Sequence, residues 1–303
     1  MKKLSNTLFF INSKANEKEA LKVWHRHKKK FPLLPSPIDI TTIDNVSKFI
    51  KEKNPQLIII GGGDGTINTV SYAILGLTTQ PTLAIFPLGF GNALSYSLGV
   101  ETLEKAYEVI INRPHTNAID IFQTSINNMP IGVFTMGVGF DGQIVHARTH
   151  YRYIGLRSYT VSIIRSYFEH HNKPIIVTVD KSVQMTATVS SLVITNAPTL
   201  GKHFLVAEHA KLNDGLLDGI IFPTHYAYLT NLRLRGFKHP LYSEENKVFF
   251  KARHLRIDGE PFAQIDGDPL QLQQAIEIEV IPQAITFLRN TDKNIMLPEV
   301  PFI

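Results

Sequence analysis

The 303-residue chain contains no cysteine, so thiolate catalysis, disulfide cross-links and Cys-ligated zinc are all excluded. No apolar run approaches the ~20 residues a membrane-spanning helix requires. The stretch Leu8–Ile11 behind Lys2 and Lys3 is too short for the hydrophobic region of a signal peptide. These absences predict a cytoplasmic protein whose contact with a membrane is peripheral. A Gly-Lys-Ser or Gly-Lys-Thr sequence is missing too, which rules out a Walker loop, and there is no fixed-period repeat or low-complexity tract. What is present is an ordinary globular composition, 44% apolar and 19% charged. Such a chain is long enough for two domains and should bury about 75% of its unfolded surface. The net charge, 31 − 26 = +5, favours anionic partners without choosing among them.

The first third alternates short apolar runs with helix-like segments. Strands are predicted at 8–11, 38–41, 57–60 and 83–86, and helices at 17–30, 46–53, 66–75 and 103–111. Leu57-Ile58-Ile59-Ile60 is continuously apolar, as a central parallel strand should be, and the β-α-β-α order implies a parallel sheet covered by helices. Beyond about residue 118 the texture changes. Residues 175–196, 203–207, 216–222 and 247–281 alternate and are rich in β-branched residues, which predicts an antiparallel sandwich, with helices only at 151–170 and 224–235. The expected fold class is α/β: a Rossmann-like parallel-sheet domain over 1–118, completed by 285–303, followed by a β-sandwich-like domain over 119–284.

Two glycine-rich turns carry the chemistry. The strand at 57–60 runs into Gly61-Gly62-Gly63-Asp64-Gly65-Thr66, where a helix begins. Glycines suit a turn that a ligand approaches closely, and the unsatisfied amides of a helix N-terminus attract anions. In an open parallel sheet ligands sit at the carboxyl ends of the strands, where this turn lies. An aspartate inside an anion site implies that Asp64 faces a metal, a proton or a hydroxyl. The next strand ends in Pro87-Leu88-Gly89-Phe90-Gly91-Asn92. By itself this is an ordinary loop as readily as a site, and Leu94 stands where a dinucleotide fingerprint needs its third glycine. Beside the first turn, it reads as the second wall of a phosphate cleft.

Together, Gly62-Gly63-Asp64-Gly65-Thr66-Ile67-Asn68 and Pro87-Leu88-Gly89-x-Gly91-Asn92 resemble the catalytic domain shared by bacterial diacylglycerol kinases, related lipid kinases and sphingosine kinases, and more distantly the NAD kinases. Further resemblances span the chain: Asn12-Ser13-Lys14 to the family's first-strand Asn-Pro turn, Thr41 to a nucleotide-contacting threonine, Asn117–Asp120 to the entry of the second domain, 210–218 to the Asp-Gly-Leu metal segment, and Gln264–Pro269 to the Asp-Gly-Glu-Pro motif. The resemblance implies an ATP- and Mg2+-dependent kinase of diacylglycerol or a similar neutral lipid alcohol. Nucleotide would be bound by Asn12, Thr41, Gly62, Gly63, Asp64, Gly65, Thr66, Asn68, Gly89, Gly91 and Asn92. Asp214, with the carbonyls of Lys211 and Leu216, would hold Mg2+, although Asp-Gly is also the commonest hairpin dipeptide. Asp64 and the carboxylates Asp266 and Asp268 would face the acceptor hydroxyl.

The chain departs from the family pattern at three places. Phe90 replaces a phosphate-binding Thr, Ala93 replaces an Asp common in bacterial members, and Asp268 replaces the Glu that acts as base. Ile257-Asp258-Gly259-Glu260-Pro261 repeats the family's letters eight residues earlier, so Glu260 is a second candidate base. The segment 151–170 interleaves Arg152, Arg157 and Arg165 with tyrosines, which suits either anionic headgroups or packing on the sandwich. The partners expected are a lipid alcohol and a membrane surface, with a homodimer as a further option and no nucleic acid. Rival readings are a sphingoid-base or soluble-nucleotide kinase, or a catalytically weak nucleotide- or lipid-binding protein of the same fold.

Overall fold

The computed structural model describes residues 4–89, 91–127, 129–155, 157–200, 204–231, 233–234 and 247–290. Their contacts divide them into two compact units: residues up to Ile119 together with those from Gln283 onward, and Asp120–Pro282.

In the first unit, strand β1 (Thr7–Ile11) precedes helix α1 (Ala20–His27), and β2 (Ile38–Asp39) precedes α2 (Val46–Lys53). The unit continues with β3 (Leu57–Gly62), α3 (Asp64–Ile74), β4 (Thr82–Pro87), α4 (Ala93–Ser97) and α5 (Leu103–Asn112). The pairings are parallel in the order β2-β1-β3-β4, and Phe287 of the last strand pairs in parallel with Leu83. All six residues of β3 are buried, the burial its unbroken apolar run predicts. Trp24 packs edge-on against Phe9 at 5.1 Å, and Phe31 against Phe86 at 5.2 Å. Asn45 caps α2 by accepting the Lys48 N–H at 2.9 Å, and Thr102 caps α5 through Lys105 N at 3.2 Å. One expected strand is shorter than its alternation suggests. Asp39 accepts the Thr41 N–H at 3.1 Å, and this side-chain cap turns Ile40–Thr42 into a single turn of 3₁₀ helix.

The second unit is mostly antiparallel. It contains the later part of β5 (His115–Thr124), then β6 (Ile131–Gly132), β7 (Thr135–Gly139), α6 (Phe140–Tyr151), α7 (Arg157–Glu169), β8 (Lys173–Val179), β9 (Val183–Val189) and β10 (Ser191–Thr195). After these come β11 (Phe204–Leu205), β12 (Leu217–Phe222), α8 (His225–Asn231), β13 (Arg233–Leu234), β14 (Val248–Ala252), β15 (His254–Asp258), β16 (Phe262–Ile265), β17 (Asp268–Gln271) and the start of β18 (Ile276–Arg289). One sheet runs β14-β12-β10-β7-β16-β17, and β15 pairs antiparallel with β8 and β18. Met136, Leu192 and Ile194 share a buried apolar cluster with Val177, Leu255, Ile257 and Ile278. The helical part differs from expectation at its start. Helix α6 begins eleven residues before the expected 151, and Gly155 at φ 63° separates it from α7 in a conformation glycine adopts without a Cβ penalty.

Candidate functional site

In the first unit the two glycine turns interlock. Gly89 N–H donates to the Gly62 carbonyl at 2.9 Å. A Cβ on Gly89 would stand 2.1 Å from Gly63 Cα, and one on Gly62 would stand 2.4 Å from Thr66 Oγ1. These two glycines are therefore required by close approach, of the Gly63 backbone at Gly89 and of the Thr66 side chain at Gly62, rather than by dihedral freedom. Asn12 ties the first strand to the same turn: its Nδ2 donates to Thr66 Oγ1 at 2.9 Å, while its Oδ1 accepts Lys14 N at 2.9 Å. Thr41 lies in the 3₁₀ turn that follows β2, where its hydroxyl is 3.1 Å from that of Ser13 and donates to Asp39 at 3.0 Å. Burial alone would raise the Asp39 pKa, but hydrogen bonds from Ser13 and Thr41 together hold it below its usual value. Asn68 is half-buried on the second turn of α3.

Asp64 opens α3 and accepts Ala93 N–H at 3.2 Å and Leu94 N–H at 3.4 Å. Its carboxylate thus lies at the N-terminus of α4, where negative charge is stabilised by the free amides. A Cβ at Gly91 would come within 2.9 Å of the same carboxylate. Asn92 adopts φ 50°, and its Nδ2 donates to Gly89 O at 2.9 Å. Its Oδ1 is buried with no hydrogen-bond partner among the described residues. Phe90 lies outside the described residues. The nucleotide residues named from the sequence in this unit therefore cluster at the carboxyl ends of β1–β4, bound together by backbone and side-chain contacts.

In the second unit the two candidate base motifs lie at opposite ends of β16 and do not converge. Glu260 precedes the strand and is buried. Burial raises its pKa, opposed by the Phe262 N–H and the charge of Lys173. Asp266 follows the strand at φ 50° and accepts three backbone N–H groups: Val133 at 2.7 Å, Phe134 at 3.1 Å and Thr135 at 2.9 Å. That arrangement fixes the turn to the start of β7. Asp268 begins β17 and is exposed.

A network behind this turn escaped the sequence reading. Gln264 Oε1 accepts Gly267 N–H at 2.8 Å, while its Nε2 donates to Asp141 Oδ2 at 3.0 Å. The Tyr228 hydroxyl donates to Asp141 Oδ1. Burial raises the Asp141 pKa against the effect of these two donors, and burial with the neighbouring carboxylate raises that of Tyr228. The signal available was Gly139-Phe140-Asp141-Gly142, an acidic residue at a helix start. Gly137 leaves room for it, since a Cβ there would overlap Asp141 Oδ2 at 1.6 Å.

The segment expected to hold Mg2+ is differently furnished. Asp214 Oδ1 accepts Leu216 N–H at 3.2 Å, and Oδ2 accepts Lys251 Nζ at 2.9 Å. Gly215 N–H donates to Asp120 Oδ2 at 2.6 Å. Among the described residues no three His, Cys, Asp or Glu side chains are grouped to hold a metal. With Leu216 N–H on Oδ1 and the Lys251 ammonium on Oδ2, both oxygens of Asp214 are engaged by protein groups.

Residues 6–124 match the family described as "Diacylglycerol kinase catalytic domain", and residues 135–289 match the "YegS C-terminal NAD kinase beta sandwich-like domain". The chain is 25% identical over 249 residues to "Diacylglycerol kinase" of Bacillus subtilis, covering 75% of this chain and 78% of the relative. It is 27% identical over 248 residues to "Diacylglycerol kinase" of Staphylococcus carnosus, covering 77% and 79%. Among solved structures, a diacylglycerol kinase from Bacillus anthracis superposes with a TM-score of 0.68 at 20% identity, covering 96% of this chain and 98% of that one. Yeast NADH kinase superposes with a TM-score of 0.50 at 11% identity, covering 94% and 84%. These structural likenesses concern the fold.

Proposed function

The chain belongs to the diacylglycerol and lipid kinase family, and on that premise we propose that it transfers the γ-phosphoryl group of ATP to the hydroxyl of diacylglycerol or a similar neutral lipid alcohol. The observation that carries this reading is the interlocked pair of glycine turns, Gly61–Thr66 and Gly89–Asn92, held by Gly89 N–H to Gly62 O at 2.9 Å. Phosphoryl transfer asks for positioning and charge stabilisation more than covalent work. The N-terminal amides of α3 would receive phosphate oxygens, and the glycines would let the nucleotide approach the backbone. Thr41 would contact the nucleotide and Asn68 would extend the cradle. Asp64, already fixed against Ala93 and Leu94, would hold the turns in register and take part in proton handling.

Of the carboxylates in the second unit, Asp268 is the one we assign as general base. Asp266 is committed to three backbone amides and would serve by fixing the turn that presents Asp268. No step is routed through residues 211–216.

No helix among the described residues is long and apolar enough to cross a membrane. The lipid would be met at a surface, and α7 with the turn before it offers one: Tyr153 and Phe168 are 82% and 77% exposed, with Ile164 and Tyr167 beside Arg157 and Arg165. We propose that this face makes the peripheral membrane contact.

The test incubates the purified full chain with labelled ATP and a panel of lipid alcohols. Label should enter the lipid fraction with diacylglycerol or a related alcohol, and Asp64→Asn should abolish transfer. Retention of ATP binding without transfer to any lipid would overturn the kinase reading. That outcome would favour a catalytically weak binding protein, the reading to which Ala93, lacking the family's carboxylate, lends support.

A further inference from the structure

The turn that the family resemblance assigns to magnesium carries its own cation. Strands β12 and β14 pair antiparallel with Asp218 directly opposite Lys251, so their side chains project from neighbouring positions on one face of the sheet. The Lys251 ammonium lies 2.9 Å from Asp214 Oδ2 and 3.5 Å from Asp218 Oδ1. It therefore bridges the acidic residue of the turn and the acidic residue of the strand that leaves it.

Three further groups of the turn are engaged by the protein itself. Asp214 Oδ1 takes Leu216 N–H, and Asp120, fully buried, takes Gly215 N–H. The Leu212 carbonyl accepts Asp120 N–H at 2.7 Å. Magnesium demands near-octahedral oxygen ligation at about 2.0–2.1 Å and gives up its waters reluctantly. An ammonium instead asks for acceptors at ordinary hydrogen-bond distance, in no fixed geometry. The measured separations are those of the second case. A divalent ion on Asp214 would have to expel Lys251, because two cations sharing one carboxylate repel strongly at such range.

We propose that Lys251 is the resident cation of this turn, so that the chain builds the 210–218 segment without a bound divalent ion. The charge environment agrees. Burial pushes the Asp218 pKa up and Lys251 pulls it back. For Lys251, partial burial is outweighed by Asp214 and Asp218, which raise its pKa and keep it charged. With two carboxylates and one ammonium the cluster carries one net negative charge, and His209 nearby also favours the charged form of Asp218. The proposal concerns how the turn is built and stands whether or not the lipid reading holds.

The test uses the full chain without nucleotide, so that magnesium carried by ATP does not enter. Thermal unfolding is followed in EDTA and in millimolar MgCl2 for the wild type, Lys251→Arg, Lys251→Met and Asp214→Asn. The wild type and K251R should melt alike and show no saturable rise with magnesium that depends on Asp214. K251M keeps most of the apolar stem and loses the charge, and should melt about 2–4 °C lower in EDTA. The double variant K251M with D214N should recover part of that loss, because it removes one of the two carboxylates left facing each other. Should K251M fail to fold, calorimetric titration of magnesium into wild type and D214N decides alone. A saturable magnesium effect in the wild type that D214N removes would overturn the proposal, as would a K251M variant as stable in EDTA as K251R.

Discussion

Replacing Gly89 with alanine would place a methyl carbon 2.1 Å from Gly63 Cα and 2.6 Å from both Gly63 N and Asn92 Oδ1. Carbon atoms in contact prefer about 3.5–4.0 Å, so the two turns must separate by roughly 1.5 Å. The nearest atoms are backbone, which no side-chain rotation relieves. Overpacking of this kind costs about 1–3 kcal/mol. Separation would also break the 2.9 Å bond from Gly89 N–H to Gly62 O, adding about 0.5–1.5 kcal/mol. A loss of about 2–4 kcal/mol lowers the melting temperature by roughly 3–6 °C in a chain of this size. Displacement of a phosphate-positioning turn on the order of 1 Å costs ~10²-fold in rate, so turnover should fall further than stability.

Gly76→Ala supplies the comparison. Gly76 sits at φ +81° with nothing within 4 Å of a built Cβ, so its substitution costs only left-handed backbone strain, about 1–2 kcal/mol. Both variants would be followed by thermal unfolding and by equilibrium binding of a fluorescent ATP analogue. G76A should melt slightly lower and bind as the wild type does, whereas G89A should lose stability and binding together. A G89A protein that binds within twofold of the wild type would refute the argument that the two turns form one cradle.

Three further outcomes are expected. Asp266→Asn replaces one of two accepting oxygens with a donor and should lose about 2–4 kcal/mol in urea unfolding, whereas exposed Asp268→Asn should cost much less stability and depress turnover. Burial, then the charges of His225, Lys173 and His171, lower the His170 pKa from 6.5 to about 4. The unfolded chain therefore binds the proton first. Stability should fall as pH drops from about 6.5 toward 4, by up to about 3 kcal/mol, and His170→Asn should flatten that slope in melting curves recorded against pH. Finally, the pair Ile164→Ser and Phe168→Ser should reduce co-sedimentation with anionic vesicles several-fold without changing the melting temperature. Unchanged sedimentation would remove α7 from membrane contact.

The parallel sheet and its two glycine turns were legible because their signals are local. Leu57–Ile60 is a buried strand by composition, and the glycines that follow report a close approach that the structure locates at Gly63 and Thr66. What was not legible depends on pairing across long separations. Asp266 binds amides 131 to 133 positions upstream, and nothing near it in sequence announces them. Lys251 meets Asp218 only through the register of β12 with β14. Helix α6 was missed because its first turn, Phe140-Asp141-Gly142-Gln143, is buried on every side and shows no amphipathic period. Its buried aspartate can be understood only once Tyr228 and Gln264 are seen to donate to it.

What a carboxylate can do follows from what already holds its oxygens. Asp64, Asp214 and Asp266 all fall in motifs that suggest chemistry, yet each accepts backbone amides in the structure. For Asp64 those amides open α4, directly after the second glycine turn, so charge at this position both assembles the cradle and sits inside it. For Asp266 they belong to β7, and the side chain fixes a hairpin whose other supports run through Gly267 and Gln264 to Asp141. A chain of bonds that ends on a buried aspartate is an investment in rigidity one residue before Asp268. Rigidity there is what a shorter base would require, because aspartate in place of glutamate gives up one methylene of reach and has less freedom to correct a misplaced acceptor.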